Sequence, residues 1–334
     1  MRVSVVVPAF DDPVGLAECL DALAPSAGPE NEIIVVDDAS TDETPAVAAR
    51  SGVRLLRMER NSGPGAARNF GARHATGDVV LFVDSDVVVG PDTVSRVARA
   101  LEEHPEIAAV FGSYDAAPRA PGLVSQFRNL LHHFVHQQGD PEASTFWAGC
   151  GAVRRSVFEA VGGFDPSRSL RSIEDIELGY RLRDAGHRIL LDRDLHVTHL
   201  KRWTLASFLR TDALYRAMPW SRLILQRRLR LDHLNLKSEH RVSVALALFL
   251  LVSLALSAIT PALLAVAALA AAGLVIANRK LLRFFVRARG IAFAAGAVPL
   301  LFLHYLASGL AYLWVRTGSL FARADGSPAA ARIE

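Results

Sequence analysis

Cysteine is nearly missing from this chain: Cys19 and Cys150 are the whole complement among 334 residues, far apart and outside any metal-ligand spacing. That excludes a disulfide-stapled secreted domain and a zinc–cysteine site, and a reducing cytosolic setting fits best. Nor does the start read as a secretory leader. Val3-Ser4-Val5-Val6-Val7 runs straight into Pro8, Asp11 and Asp12, too short an apolar core for a signal peptide, so the first domain is expected to stay in the cytoplasm. Acidic residues are scarce towards the other end. Residues 241–334 hold only Asp325 and Glu334 against nine arginines and lysines, a segment charge of +7 in a chain whose total is +3, so the preceding residues are net acidic. The basic excess lies beside long apolar runs, where anionic lipid headgroups are its natural partners and nucleic acid is not. An apolar fraction of 51% excludes general disorder.

At ~100–200 residues per domain the length suggests two units. Short β-branched runs at Val3–Val7, Ile33–Asp37, Val53–Met58, Val79–Val83 and Ala108–Phe111 alternate with helical patterns such as Val14–Leu23 and Thr93–His104. Near-continuous apolar strands separated by helices predict an α/β fold with a mostly parallel sheet, helices on both faces and a ligand at the carboxyl ends of the strands. From Pro118 to Asp194 longer loops punctuated by Gly149, Gly151, Gly162, Gly163 and Gly186 are expected to select the substrate.

Four patches carry chemistry. Val36-Asp37-Asp38-Ala39-Ser40-Thr41-Asp42 ends a buried strand with acids that can accept a uracil imide hydrogen or hold a ribose, or that cap the next helix. Asn61–Asn69 carries Gly63 and Gly65 at the opening of a helix, where free amides and Arg68 suit a phosphate; it lacks the Walker A and Gly-x-Gly-x-x-Gly patterns. Asp84-Ser85-Asp86 follows the strand Val79–Val83 and offers hard oxygen ligands for Mg²⁺ or Mn²⁺ on a diphosphate, or caps the next loop. Glu174 and Asp175 open an amphipathic helix; Ser172 and Asp175 have capping-box spacing, and a carboxylate there also suits a general base. His132 and His136, one helical turn apart, suit a metal, an acceptor contact or an ordinary interfacial helix.

Together with Pro8-Ala9-Phe10, Trp147-Ala148-Gly149-Cys150-Gly151 and Gly162-Gly163-Phe164-Asp165, these patches resemble glycosyltransferase family 2, in the same order over about residues 3–203. The resemblance implies a GT-A (Rossmann-like) fold, a nucleotide-diphosphate sugar donor with UDP favoured, Mn²⁺ or Mg²⁺, and inversion at the anomeric carbon. Carried over, it implies Asp175 as catalytic base. Pro8, Phe10, Asp37, Asp38, Arg68, Asp84 and Arg202 would surround the donor. Asp84, Asp86 and His199 would hold the metal, and Trp147, Gly149, Cys150, Glu174 and Trp203 would meet the acceptor. Processive relatives carry Gln-x-x-Arg-Trp where this chain has His199-Leu200-Lys201-Arg202-Trp203, and polyprenyl-phosphate sugar synthases follow Asp-x-Asp with Leu-Gln and a proline where Val87-Val88-Val89 stands. Both remain alternatives to a non-processive enzyme, and a nucleotide-sugar-binding scaffold is the non-enzymatic one.

The expected organisation is a GT-A domain over 1–218, an amphipathic interfacial segment over 219–241, a membrane region over 242–315 and a tail over 316–334. Val242–Ile259, Ala262–Ala277 and Ile291–Val315 are uncharged apolar runs. With ~20 residues needed per span, they are expected to cross a cell membrane as a multi-pass anchor, the first two as short spans. The basic stretch 279–289 and the arginines before the first run keep both flanks inside with the catalytic domain. The acceptor expected for such a protein is a lipid or lipid-linked glycan, and the composition leaves room for a homo-oligomer.

Overall fold

The computed structural model describes residues 1–165, 172–227 and 238–324. The expected tail beyond 324, and Arg228, Leu229, Arg230 and Leu231 of the expected interfacial segment, lie outside the described residues. The chain divides into two compact units, the first comprising Met1–Pro121 with Asn129–Arg202 and the second Gly122–Arg128 with Trp203–Glu334.

The first unit is built on one sheet of nine strands: β1 (Val3–Ala9), β2 (Glu32–Asp37), β3 (Arg54–Arg57), β4 (Val79–Val83), β5 (Val87–Val89), β6 (Ile107–Tyr114), β7 (Glu142–Ala143), β8 (Cys150–Arg154) and β9 (Arg188–His199). Their order is β3-β2-β1-β4-β8-β6-β9-β5, with β7 beside β9. The side running β3-β2-β1-β4 is parallel, as the alternating pattern predicts. Beyond β4 the sheet is mixed: β8 is antiparallel to β4 and β6, β9 is parallel to β6, and β5 and β7 run antiparallel to β9. Helices α1 (Pro13–Ala27), α2 (Thr44–Arg50), α3 (Pro64–His74), α4 (Thr93–Glu103), the later part of α5 (Leu123–Gln137), α6 (Arg155–Ala160) and α7 (Glu174–Asp184) belong to this unit.

Every residue of β1 and β4 is buried, so these two strands are the spine of the core. Burying a Val, Leu or Phe side chain contributes roughly 1.5–3 kcal/mol. Their carboxyl ends therefore sit on the stiffest part of the sheet, and Phe10 and Asp84 emerge there. Gly179 sets how closely α7 approaches: a Cβ at this position would meet Phe146 N at 2.3 Å and the Thr145 carbonyl carbon at 2.6 Å. Only a bare backbone lets the helix pack that tightly on the segment leading to Trp147.

The second unit is helical. After α8 (Leu205–Arg210) a π-helical stretch, Thr211–Ala217, leads into α9 (Met218–Arg227), followed by α10 (Ser238–Leu256), α11 (Leu263–Ala277), α12 (Arg279–Arg289) and α13 (Ile291–Ala324). Two helices, Ser238–Leu256 and Ile291–Gly318, are long and apolar enough to cross a membrane. α11 is too short alone and reaches that length only with α12, from which it is bent by 67°. Their outward faces are apolar: Val242, Phe249, Val252 and Leu254 of α10, Leu269 of α11 and Trp314 of α13 are exposed. α12 instead exposes Arg279, Lys280, Arg283, Arg287 and Arg289 while burying Leu281 and Phe285. Inside the unit, Asp212 is buried between Arg128 (3.0 Å) and His304 (2.5 Å), and Tyr305, Asn278 and Ser243 form a hydrogen-bonded chain. Burial pushes the Asp212 carboxyl up, but Arg128 and His304 outweigh it and hold the group well below the usual carboxylate range.

Candidate active site

The loops after β1 and β2 are knitted to each other. The Asp11 amide donates to Ser40 Oγ (3.0 Å), the Thr41 amide to Asp11 Oδ1 (2.8 Å) and the Asp12 amide to Thr44 Oγ1 (2.8 Å). Ser85 Oγ donates to Asp12 Oδ2 at 2.8 Å, which ties the loop after β4 to the same corner. Ala39, at the turn of the β2 loop, takes φ +63°, a left-handed conformation that a non-glycine residue adopts only where its surroundings impose it. Phe10, the residue after β1, is 44% exposed, while Pro8 is buried within β1.

Asp37 and Asp38 do not cap α2. Asp37, fully buried, accepts from the Ser40 amide (3.1 Å) and faces Arg57 Nε at 3.0 Å. Asp38 reaches across to the loop before α3, where its two oxygens accept from the amides of Ser62 and Gly63, each at 2.8 Å. Gly63 has φ +89°, open to glycine without strain, and it begins α3. No side chain caps α3, so its N-terminus retains the open amides that suit an anion.

Arg68, expected at a phosphate, is 4% exposed and turns inward. Nη2 meets Asp84 Oδ1 at 2.6 Å and Nη1 meets Glu174 Oε1 at 2.8 Å. Glu174, expected beside the acceptor, is thereby an anchor for Arg68. Burial raises the Asp84 carboxyl above its usual range, Arg68 pulls it back and Asp86 adds to the rise. Asp86 behaves in the opposite sense: burial pushes it up, yet His199, with Nε2 3.4 Å from Oδ2, and Lys201 bring it below the usual range. The β5–β9 register sets Val87 opposite His199, and the Leu200 amide donates to the Asp86 carbonyl at 2.9 Å.

Of the three expected metal ligands, the structure therefore pairs Asp86 with His199 and gives Asp84 to Arg68. No cluster of three or more His, Cys, Asp and Glu suited to a metal occurs among the described residues. A carboxylate and an imidazole nonetheless fit Mg²⁺ or Mn²⁺ at a diphosphate, because such ions take their remaining ligands from phosphate oxygens and water.

Asp175 opens α7 half-buried. Its Oδ2 accepts from the Ala148 amide (3.1 Å) and its Oδ1 from the Ile176 amide (2.8 Å). The capping box expected of Ser172 is not made, since Ser172 takes φ +73° and Ile173 is the N-cap without a side-chain bond. The hydrogen bond from Ala148 fixes the carboxylate to the segment Trp147–Gly151, whose end pairs with β4. A Cβ on Gly149 would strike the Trp147 ring at 2.4 Å, so the glycine is what lets the indole fold back. Trp147 is 8% exposed and packs on Tyr114 and His132, with ring centroids 4.8 and 5.0 Å away. Cys150 lies wholly in the core, where burial pushes its thiol up to about 12. Arg202 is exposed; Trp203, in the second unit, donates its amide to Ser125 Oγ (2.8 Å) and has Arg128 5.7 Å from its ring centroid. His132 and His136 pack as rings 4.1 Å apart, and His136 Nδ1 bonds the Gly112 carbonyl at 3.1 Å.

The sequence reading missed Asp11, Asp12 and Ser85 as builders of the corner, although Asp11-Asp12 directly after a strand was a signal. It also missed Asn129 and Tyr114, which flank His199 and carry no motif.

Residues 4–162 match Glycosyl transferase family 2. The chain carries a family 2 glycosyltransferase domain. The glycosyltransferase domain is similar to an uncharacterized glycosyltransferase of Haemophilus influenzae, 28% identical over 191 residues that make up 54% of this chain and 61% of the relative. It is also similar to the pre-mycofactocin glycosyltransferase of Mycobacterium tuberculosis, 28% identical over 228 residues, 64% of this chain and 46% of the relative. The chain thus spans less than two thirds of these relatives. Among solved structures, a mannosyltransferase from Pyrobaculum calidifontis in complex with GDP-Man and Mn²⁺ matches 94% of this chain and 87% of its own, at 21% identity and a TM-score of 0.56. Staphylococcus aureus TarS in complex with UDP-GlcNAc matches 98% and 93%, at 22% identity and 0.54. These likenesses show the GT-A fold of the glycosyltransferase domain.

Proposed function

We propose that this protein is an inverting, divalent-metal-dependent glycosyltransferase that moves a sugar from a nucleotide-diphosphate donor to a hydroxyl of a lipid or lipid-linked glycan at the cytoplasmic face of a cell membrane. The observation that carries the reading is Asp175, a half-buried carboxylate held by the Ala148 and Ile176 amides at the mouth of α7. An acceptor hydroxyl attacking the anomeric carbon must lose its proton, and Asp175 takes it; the sugar–phosphate bond breaks and the nucleoside diphosphate leaves. Asp86 and His199 would hold the metal, which when bound offsets the charge that develops on the leaving diphosphate. Arg68 keeps Asp84 in place rather than meeting the phosphate, so the open amides at the start of α3 are the chain's own supplement to that charge.

UDP is favoured through the Asp37-Asp38 reading, and TarS, of the same fold, has been seen with UDP-GlcNAc. A GDP-sugar is the competing donor, as in the Pyrobaculum calidifontis neighbour. The membrane-length helices α10 and α13 support a lipid-borne acceptor, and the basic face of α12 supports a cytoplasmic orientation for that helix. The test is incubation of the full chain, purified in detergent, with a panel of UDP- and GDP-sugars, with Mn²⁺ or with EDTA. Release of free sugar from a UDP-sugar only with Mn²⁺ is expected; equal release with EDTA overturns the metal-dependent reading, and release from GDP-sugars alone overturns the UDP preference.

A further inference from the structure

His199 is the last residue of β9, and three elements fix its ring. From β6, Tyr114 stacks on it with centroids 4.4 Å apart and planes inclined by 10°. From α5, Asn129, 1% exposed, sets its Oδ1 2.8 Å from His199 Nδ1. Across β5, Asp86 Oδ2 lies 3.4 Å from His199 Nε2. An amide oxygen can only accept a hydrogen bond, so Nδ1 carries a proton, and in the neutral ring Nε2 keeps its lone pair. The distance on the far side agrees. A charge-assisted N–H···O bond closes to about 2.7–2.9 Å, shorter than the 3.4 Å found between Nε2 and Asp86 Oδ2. Nε2 and the carboxylate thus turn two lone-pair donors on the same place.

We infer that Asn129 is a positioning residue: it holds His199 in the Nδ1–H tautomer with Nε2 turned on Asp86 as a metal donor, while Tyr114 fixes the ring plane. This rests on the reading that Asp86 and His199 hold the divalent ion. A histidine ligand oriented through its other nitrogen loses about 10–100-fold in metal affinity when that partner is removed. Leucine at position 129 fills similar space but accepts nothing, whereas aspartate can still accept from Nδ1–H.

The test is Mn²⁺ titration by electron paramagnetic resonance on the full chain in detergent with UDP present, for wild type, Asn129→Leu, Asn129→Asp and His199→Ala. Expected are a 10–100-fold weaker Mn²⁺ affinity in Asn129→Leu, an affinity within a few-fold of wild type in Asn129→Asp, and the weakest binding in His199→Ala. If His199→Ala binds weakly and Asn129→Leu binds as wild type does, the positioning role is overturned and the metal reading stands. If His199→Ala itself binds as wild type does, both fall. A readout independent of any variant's folding comes from nitrogen-15 histidine spectra of the metal-free wild type, with the His199 signal identified as the one lost in His199→Ala. At a pH where the ring is neutral, a protonated Nδ1 is expected, and a protonated Nε2 overturns the proposal.

Discussion

Arg68 holds Asp84 by a 2.6 Å ion pair, so the first aspartate after β4 is committed to the protein itself. The same guanidinium holds Glu174 at 2.8 Å, and it joins two segments 106 residues apart. Removing one partner from a buried ionic cluster costs about 3–5 kcal/mol, because the charges left behind lose their compensation. Arg68→Ala is therefore expected to lower the thermal unfolding midpoint strongly, and Arg68→Lys to restore part of the loss. An unfolding curve for Arg68→Ala matching that of wild type would show the cluster to be dispensable.

Asp175→Asn preserves volume and can still accept one backbone hydrogen bond, but it cannot take a proton. Turnover is expected to fall by at least ~10²-fold with UDP affinity unchanged. Nucleotide release in the presence of acceptor measures the first and calorimetric titration the second. A variant that keeps a tenth of the wild-type rate removes Asp175 from the role of base.

Asp38 clamps the loop before α3 through the amides of Ser62 and Gly63. Asp38→Ala leaves two partly buried donors without their acceptor, each costing about 1–3 kcal/mol. Because that loop opens α3, UDP affinity is expected to fall by tenfold or more, and calorimetry reads it directly.

In the helical unit, Asp212 is held below the usual carboxylate range by Arg128 and His304 against the opposing effect of burial. A carboxyl whose folded value lies below its unfolded one, about 3.9, stabilises the fold above that pH and loses the contribution as pH falls. Wild type is expected to lose more thermal stability than Asp212→Asn between pH 7 and pH 3. Parallel losses would mean that Asp212 contributes nothing to the acid limb.

Cysteine scanning tests the orientation, since Cys19 and Cys150 are fully buried and give little background to an impermeant thiol reagent. Ile259→Cys, at an 82% exposed position between α10 and α11, is expected to label on intact cells. Arg283→Cys, on the basic face of α12, is expected to label only after lysis. The reverse pattern would place the basic face of α12 outside.

The legible strands were those whose apolar residues run together between breakers. β1 and β4 are five or more buried residues in a row, β4 closed by Asp84 and β1 running on through Pro8 to Ala9, and nothing competes with a strand reading there. β9 stayed hidden because Arg188, Asp192, Arg193 and Asp194 break its apolar run. Their charges are met by partners such as Arg96, 2.6 Å from Asp192, which no local pattern could announce. β8 begins with Cys150-Gly151, and glycine there reads as a loop until the Trp147 carbonyl and the Phe146 ring against it are seen. At the site, the aspartates were legible as motifs because each sits directly after a strand or opens a helix. Their partners were not: Arg68 to Glu174 and Asn129 to His199 are pairings across the fold, set by sheet order.

On the proposed reading of this corner as the nucleotide site, the left-handed turn at Ala39 bears on how a donor would bind. Alanine itself disfavours that conformation, so the turn is imposed by the hydrogen bonds around it rather than chosen by residue 39. Because Asp11, Ser40 and Thr41 are already bonded to each other, the corner keeps one shape whether a base lies in it or not. On that reading, association would lose little backbone entropy at this edge, and selectivity among nucleotides would rest on the fit of the ring to a rigid wall.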